Sequence, residues 1–295
     1  MKAAPFEYVR AASVGEACER LARHGDTAKI LAGGQSLVPM MAMRLVRPAW
    51  LIDINEIAAL KFVAIEKDAA RTGACTRQCE LERDSALAAR VPLLPQALAW
   101  VGHVQTRNRG TMGGSLAHAD PSAELPLVAQ VLGARIALRS AKSPRKLEAK
   151  DFFVGPMATA ARPDECLEEI HWPIWAERRT GSAFKEISVR HGDFAMVAAA
   201  AQVALDDDGR CLRAALGLGG VGGTPLAFPK IAARLVGTKL ENGAVQDAAE
   251  AAAAECEPGG DLHATAEYRR HLARVLARRA LRSAYENARE KASAK

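Results

Sequence analysis

Two glycine pairs constrain this chain more than any other feature. They are Ala32-Gly33-Gly34-Gln35-Ser36 and, about 80 residues later, Thr111-Met112-Gly113-Gly114-Ser115. Each reads as an apolar strand running into Gly-Gly and then a hydroxyl residue. Two successive residues without Cβ let the backbone turn its N–H groups toward an anion and let phosphate oxygens approach closely. Ser36 adds a hydroxyl donor, and the apolar run from Leu37 to Met43 is expected to open a helix. The second pair lies in the polar stretch Thr106-Arg107-Asn108-Arg109-Gly110, with Thr111 ahead and Ser115 behind. One Gly-Gly after a strand usually marks a plain turn. Two with the same flanking chemistry point to a pyrophosphate held between two backbone loops.

The chain around these loops can build a sizeable core: 295 residues, 49% hydrophobic and 25% charged, enough for two domains or one with subdomains. No uncharged apolar run approaches the roughly 18 residues that cross a bilayer, and the start, Met1 to Glu7, lacks the apolar centre of a secretory signal. A cytoplasmic location without a membrane span is therefore expected. The net charge of +6 raises a nucleic-acid reading. Basic residues concentrate only from Arg269 to Arg289, where Tyr268, Leu272, Val275, Leu276 and Leu281 recur at helical spacing, so these arginines read as the solvated face of an amphipathic helix. Aromatic residues are 5% of the chain and leave few platforms for bases, so no nucleic-acid partner is expected. Of six cysteines only Cys75 and Cys79 are close, as C-x-x-x-C. That spacing suits buried thiols rather than iron–sulfur or zinc ligands, and no metal site is expected here.

Ser13 to Glu16 is a capping-box sequence, opening a helix through Arg23 that buries Ala17, Leu21 and Ala22 and stops at Gly25. Strands are expected at Ile30 to Ala32 and Trp50 to Ile54, closing a subdomain near residue 57. Alternation resumes at Phe62 and at Arg71 to Cys75, followed by helices over Arg77 to Ala89 and Pro92 to Gly102. A further helix is expected at Ala123 to Leu132, then strands at Arg135 to Arg139, Lys146 to Ala149 and Cys166 to Trp172. After Pro173-Ile174-Trp175 a separate module begins, with strands at Gly181 to Val189, Ala195 to Leu205 and Leu212 to Gly219 and then helices, an α+β signature. The charged tail after Glu286 reads as frayed. Gly217 to Gly222 fits G-x-G-x-x-G, but no parallel βαβ frame surrounds it. The favoured reading there is a strand, a turn and a helix with Thr224 as cap and Pro225 in its first turn. No nucleophile–base pair is evident, and the serines of the glycine loops lack the G-x-S-x-G elbow.

These residues also resemble a known family. The runs AGGQSLVPMMAMRLVRP (32 to 48) and TRNRGTMGGSLAHADPSAELP (106 to 126) are similar to the two flavin-binding signatures of the FAD-binding medium subunit of molybdenum hydroxylases, the carbon monoxide dehydrogenase and xanthine dehydrogenase group. The resemblance continues through Asp151 to Pro156, Phe184-Lys185-Glu186 and Arg190 to Phe194, and loosely through Glu267 to Leu272. It implies an α+β fold: a two-subdomain FAD-binding domain of the PCMH type over residues 1–176, with subdomains of about 1–57 and 58–176, then a smaller C-terminal domain of antiparallel strands plus helices over 177–295. It implies FAD with its pyrophosphate on Ala32 to Ser36 (Ala32, Gly33, Gly34, Gln35, Ser36) and on Thr111, Met112, Gly113, Gly114 and Ser115. Glu124, with His118 and Asp120 nearby, would accept from ribityl or ribose hydroxyls, or each could cap a helix. Phe194 would pack on the isoalloxazine, or be a core strand residue. Lys185 would sit near the flavin pyrimidine, or be an exposed strand-end lysine, and Arg107 and Arg109 would lie by the cofactor or bridge the lobes.

The implied function is electron transfer. A large subunit with a molybdenum cofactor and a small subunit with two [2Fe-2S] clusters would feed this chain's FAD, in a dimer of heterotrimers, with no catalytic residue of its own. The rival readings are a stand-alone flavin-dependent oxidase or reductase of the same wider fold, and a non-catalytic binding protein.

Overall fold

The computed structural model describes residues 2–293. The first lobe contains β1 (Glu7–Arg10), α1 (Val14–His24), β2 (Ala28–Leu31), α2 (Leu37–Ala42) and β3 (Trp50–Asp53), its strands forming an all-parallel sheet in the order β1-β3-β2. Helix α1 forms where its caps dictate. Ser13 Oγ accepts from the Glu16 N–H at 3.1 Å, and Gly25 ends the helix with φ +54°. Val14, Ala17, Cys18 and Leu21 face the core, whereas Ala22, expected inside, is exposed. β1 was not expected: Glu7-Tyr8-Val9-Arg10 is mostly exposed and carries no apolar alternation.

The second lobe holds β4 (Val63–Ile65), β5 (Ala69–Gly73), α3 (Gln78–Arg83), α4 (Ser85–Arg90), α5 (Leu93–Leu98), α6 (Val104–Arg109), α7 (Met112–His118), α8 (Glu124–Leu132), β6 (Arg135–Arg139), β7 (Pro144–Glu148), α9 (Ala149–Phe152), β8 (Phe153–Gly155), β9 (Ala158–Thr159) and β10 (Cys166–Pro173). Its main sheet is antiparallel, ordered β4-β5-β10-β6-β7. Trp172 is fully buried, and its indole N–H is satisfied by Thr72 Oγ1 at 2.9 Å. The single helix expected from Arg77 to Ala89 is broken at Asp84, whose carboxylate accepts from the Leu87 N–H and so caps a new helix.

A third unit follows, with β11 (Arg179–Ile187), β12 (Val197–Leu205), β13 (Cys211–Gly219), β14 (Leu226–Ala227), α10 (Pro229–Ala233), α11 (Asn242–Ala254) and α12 (Ala266–Ser293). Its antiparallel sheet is ordered β11-β12-β13-β14. Every residue of β12 is buried, because the sheet is covered on both faces. Ala198 and Ala200 join the core shared with the second lobe, and Val197, Ala199, Ala201 and Val203 join the core under α12. The mostly alanine strand lets both layers come close. Gly181 on β11 lies so near α12 that a Cβ would stand 2.2 Å from the Ala284 carbonyl oxygen.

The helix after β13 begins at Pro229, not at Pro225, because β14 intervenes as a short edge strand paired with β13. Thr224 therefore caps nothing. β13 runs antiparallel to both neighbours, so Gly217 to Gly222 lacks the parallel frame of a dinucleotide fingerprint. α12 continues past Glu286 to Ser293, held by the fully buried Ala284 and Ala288 rather than frayed. Its arginines at 270, 274, 278, 279, 282 and 289 are exposed, as expected. Arg269 is the exception, buried between the Met196 carbonyl and the Asp261 carboxylate.

Candidate functional site

The first glycine pair occupies the expected loop between strand β2 and helix α2. Gly34 has φ +72°, a left-handed conformation that disfavours any residue with a Cβ. Gly33 sits where a Cβ would meet the Arg109 carbonyl oxygen at 2.5 Å and Gly110 Cα at 2.9 Å, so its bare Cα is what lets the two lobes touch. Among the described residues, no protein acceptor takes the backbone N–H groups of Gly33, Gly34, Gln35 and Ser36. Four consecutive free donors form a nest suited to an anion.

The second pair is built differently. Gly113 and Gly114 lie in the first turn of helix α7, not in a loop after a strand, and the segment before them is helix α6. Thr111 is the N-cap, its Oγ1 accepting from the Gly114 N–H at 3.2 Å. Met112 and Gly113 donate to the Thr76 and Ala74 carbonyls, and Ser115 donates to the Thr111 carbonyl. The N–H groups of this pair are thus already used. A Cβ on Gly113 would stand 2.6 Å from Ala74 Cβ, whereas one on Gly114 would meet only Thr111 Oγ1 within 3 Å. Gly113 is needed for packing α7 against the end of β5, and Gly114 leaves room on the open side.

Both pairs open onto one cavity of about 800 Å³, within the range of ligand pockets. Ala32, Gly33, Gly34, Gln35, Ser36, Thr111, Gly113, Gly114, Ser115, His118, Glu124 and Phe194 line it. Three other expected residues do not. Met112 is fully buried in the core beneath the cavity. Asp120 turns its Oδ1 back to the Ser122 N–H at 2.8 Å. Lys185 lies on β11, where alternation sends Ser182, Phe184 and Glu186 toward the second lobe and Lys185 toward the α12 side.

Phe194 is not a core residue: it lies in the β11–β12 connection, 62% exposed, at the cavity edge. That connection crosses to the second lobe, where a Cβ on Gly192 would stand 2.5 Å from the His103 ring and His191 meets Trp100 edge-on at 5.6 Å. Of the two arginines, Arg107 is buried in an ion pair with Glu82 at 2.8 Å. Arg109 contributes its carbonyl, which accepts from Arg77 and faces Gly33. Arg77 also donates to Asn55 Oδ1 at 2.8 Å, tying the two lobes beside the first loop.

Glu124 opens α8 and is only 5% exposed; burial raises its carboxyl to about 7, with the nearby Asp120 charge adding to the effect. Gln78 was not foreseen. It lines the cavity, and its buried Oε1 finds no hydrogen-bond partner among the described residues. An orphaned acceptor and four unused donors on one cavity wall fit a ligand bearing both phosphate and donor groups. No local sequence signal marks Gln78, because only the fold brings α3 to the cavity.

Known proteins share this sequence pattern and fold. Residues 4–175 match the family model described as the FAD binding domain in molybdopterin dehydrogenase, and residues 182–284 match the CO dehydrogenase flavoprotein C-terminal domain. The chain is 39% identical to the 6-hydroxypseudooxynicotine dehydrogenase complex subunit alpha of Paenarthrobacter nicotinovorans, over 98% of this chain and 97% of that one. It is 36% identical to the caffeine dehydrogenase subunit beta of Pseudomonas sp. (strain CBB1), over 95% of each. A solved structure of carbon monoxide dehydrogenase from Hydrogenophaga pseudoflava superposes with a TM-score of 0.94 at 36% identity, covering 97% of this chain and 99% of that one. With more than half its length in the first family model and relatives matched end to end, the chain belongs to the FAD-binding flavoprotein subunits of the molybdopterin dehydrogenases.

Proposed function

We propose that this chain is the FAD-binding electron-transfer subunit of a molybdenum-containing hydroxylase or dehydrogenase. Residues 1–176 form its FAD-binding domain, in subdomains of about 1–57 and 58–176, and residues 177–295 form the C-terminal domain. The observation that carries the reading is the cavity wall itself: four free N–H donors at Gly33 to Ser36, faced across the lobe junction by the glycine pair Gly113–Gly114. FAD, when bound, supplies exchange of electrons between one-electron carriers and an external acceptor.

The chain's residues hold and orient it. Gly33 to Ser36 would donate backbone hydrogen bonds to the pyrophosphate. Ser115 would add a hydroxyl, and Gly114 would leave room for phosphate rather than supply an N–H. Glu124 would accept from hydroxyls of the ribityl or ribose, with His118 beside it, and Phe194 would cover one face of the ring system. Lys185, on the far face of its strand, has no place in this set, and Met112 and Asp120 act by supporting α7 and the turn before α8.

The partners follow from relatives named as subunits of dehydrogenase complexes, among them carbon monoxide dehydrogenase medium chains. A large subunit with the molybdenum cofactor and a small subunit with [2Fe-2S] clusters would complete a heterotrimer, dimerised, in the cytoplasm. Among the described residues no helix is long and apolar enough to cross a membrane. An absorption spectrum of the purified native protein, with a gel of the chains that accompany it, tests this. Flavin bands, iron–sulfur absorbance and two further chains are expected; a native preparation without flavin overturns the assignment.

A further inference from the structure

Glu186 is a buried acidic residue that the reading above leaves without a task. It is 6% exposed, on the face of β11 turned toward the second lobe, and neither carboxyl oxygen has a hydrogen-bond partner among the described residues. Its cross-strand neighbour on β12 is Ala198, which cannot pair with it. On the same face, Gln96 of α5 is engaged with Ser182, and Gln202 of β12 leaves its own Oε1 unpartnered. Across the sheet Ala198 pairs in turn with Gly219, which faces Pro121 and Leu127 on either side of Glu124, so the cavity-lining carboxyl of Glu124 is the charge that acts on Glu186 among the described residues, and Asp120 acts on Glu124. Among the described residues neither carboxyl forms an ion pair: His118 lines the same cavity without pairing with Glu124, and Lys185, next to Glu186 in sequence, faces away. Two carboxylates buried in such a boundary without a cation cannot both ionise near neutrality.

We propose that Glu186 is a positioning residue for the cavity: it remains protonated behind Glu124, and the two carboxyl groups together hold one proton and one negative charge. The charge resides on Glu124, the member that faces the cavity, and makes it a hydrogen-bond acceptor for hydroxyl groups there. The proton on Glu186 keeps that acceptor singly charged, since among the described residues no cation is paired with either carboxyl to balance a second charge. The geometry assigns the proton in this order: both Glu186 oxygens are enclosed without a donor, whereas Glu124 lines the cavity, and burial with the Glu124 charge pushes Glu186 up to about 9 in the same sense. The inference rests on the cavity being the FAD site, but the acid pair can be tested without it.

The test is a pH titration of the full-length chain followed by infrared difference spectroscopy. At about pH 8, between the two values, the wild type should show the C=O stretch of a protonated carboxylic acid. That band should vanish in Glu186→Gln and equally in Glu186→Met, which keeps the length without a titratable group. A band that survives in either variant overturns the proposal, as does a wild type without one. FAD dissociation gives the second readout. Between about pH 8 and pH 10 the wild-type dissociation constant should rise by about tenfold or more as the second charge appears, while Glu186→Gln should stay nearly flat. Superimposable curves for the two proteins would refute the link from Glu186 to the cavity. A wild-type complex that never binds FAD would refute the cavity reading instead, leaving the infrared band to decide the acid pair.

Discussion

The two glycine pairs look alike in sequence and meet at one cavity, yet they answer different physical demands. At Gly33–Gly34 the backbone is irregular, left-handed at the second glycine, and its N–H groups are unused. At Gly113–Gly114 the backbone is helical and its N–H groups are consumed by Thr76, Ala74 and Thr111. The first pair is a donor surface and the second a clearance surface. In the proposed site the same dipeptide would serve an anion in two ways: by presenting hydrogen bonds, or by withholding side chains so that the ligand can approach.

The sharpest way to break this contrast is Gly113→Val. With Ala74 Cβ at 2.6 Å and its backbone at 2.9 Å, overpacking should cost about 3 kcal/mol, read as a lowered midpoint in urea unfolding of the apo-protein. A midpoint like that of the wild type would show that α7 does not depend on close packing. Gly33→Ala places a methyl against the Arg109 carbonyl and Gly110 and should cost about 2 kcal/mol. It should also empty the purified protein of flavin, since the lobe contact and the donor nest share that residue.

Thr111→Ala removes the cap of α7 and should cost about 1 kcal/mol, with flavin content falling in step with stability. Gly34→Ala should cost about 1 kcal/mol through its positive φ, and Gly34→Asn less, because asparagine tolerates that conformation. Thermal melts of the two variants side by side check the order. The smallest stability effect belongs to Gly114→Ala, within about 0.5 kcal/mol, because the better helix propensity of alanine offsets the cap that its methyl, 2.7 Å from Thr111 Oγ1, displaces. Its flavin-to-protein absorbance ratio should nonetheless drop. Full flavin loading would mean that clearance at residue 114 is not needed.

What was legible in the sequence follows from whether the determining interaction was local. Caps and turns were: Ser13, Gly25 and the strand–loop–helix around Gly33 all stand where the residues place them. The second pair was misread as a loop because glycine is a poor helix former, and only the fold supplies the Ala74 backbone that holds α7. Pro225 and Pro229 are equally good first-turn residues in sequence, and the pairing of β14 with β13 decides between them. The most consequential miss was one of register. Phe184-Lys185-Glu186 suggests the lysine as the functional charge, but a strand sends alternate residues to opposite faces, and β11 turns its lysine away and its glutamate toward the second lobe.

The connection between β11 and β12 brings only Gly192, Asp193 and Phe194 to the cavity wall, seated on His103 through a glycine with φ +90°. Among the described residues, everything else that lines the cavity comes from the first two lobes. The glycine loops and the Phe194 wall of the cavity are thus specified by separate, non-overlapping stretches of chain. Substitutions in that short turn would therefore alter the cavity wall around Phe194 while leaving the glycine loops as they are.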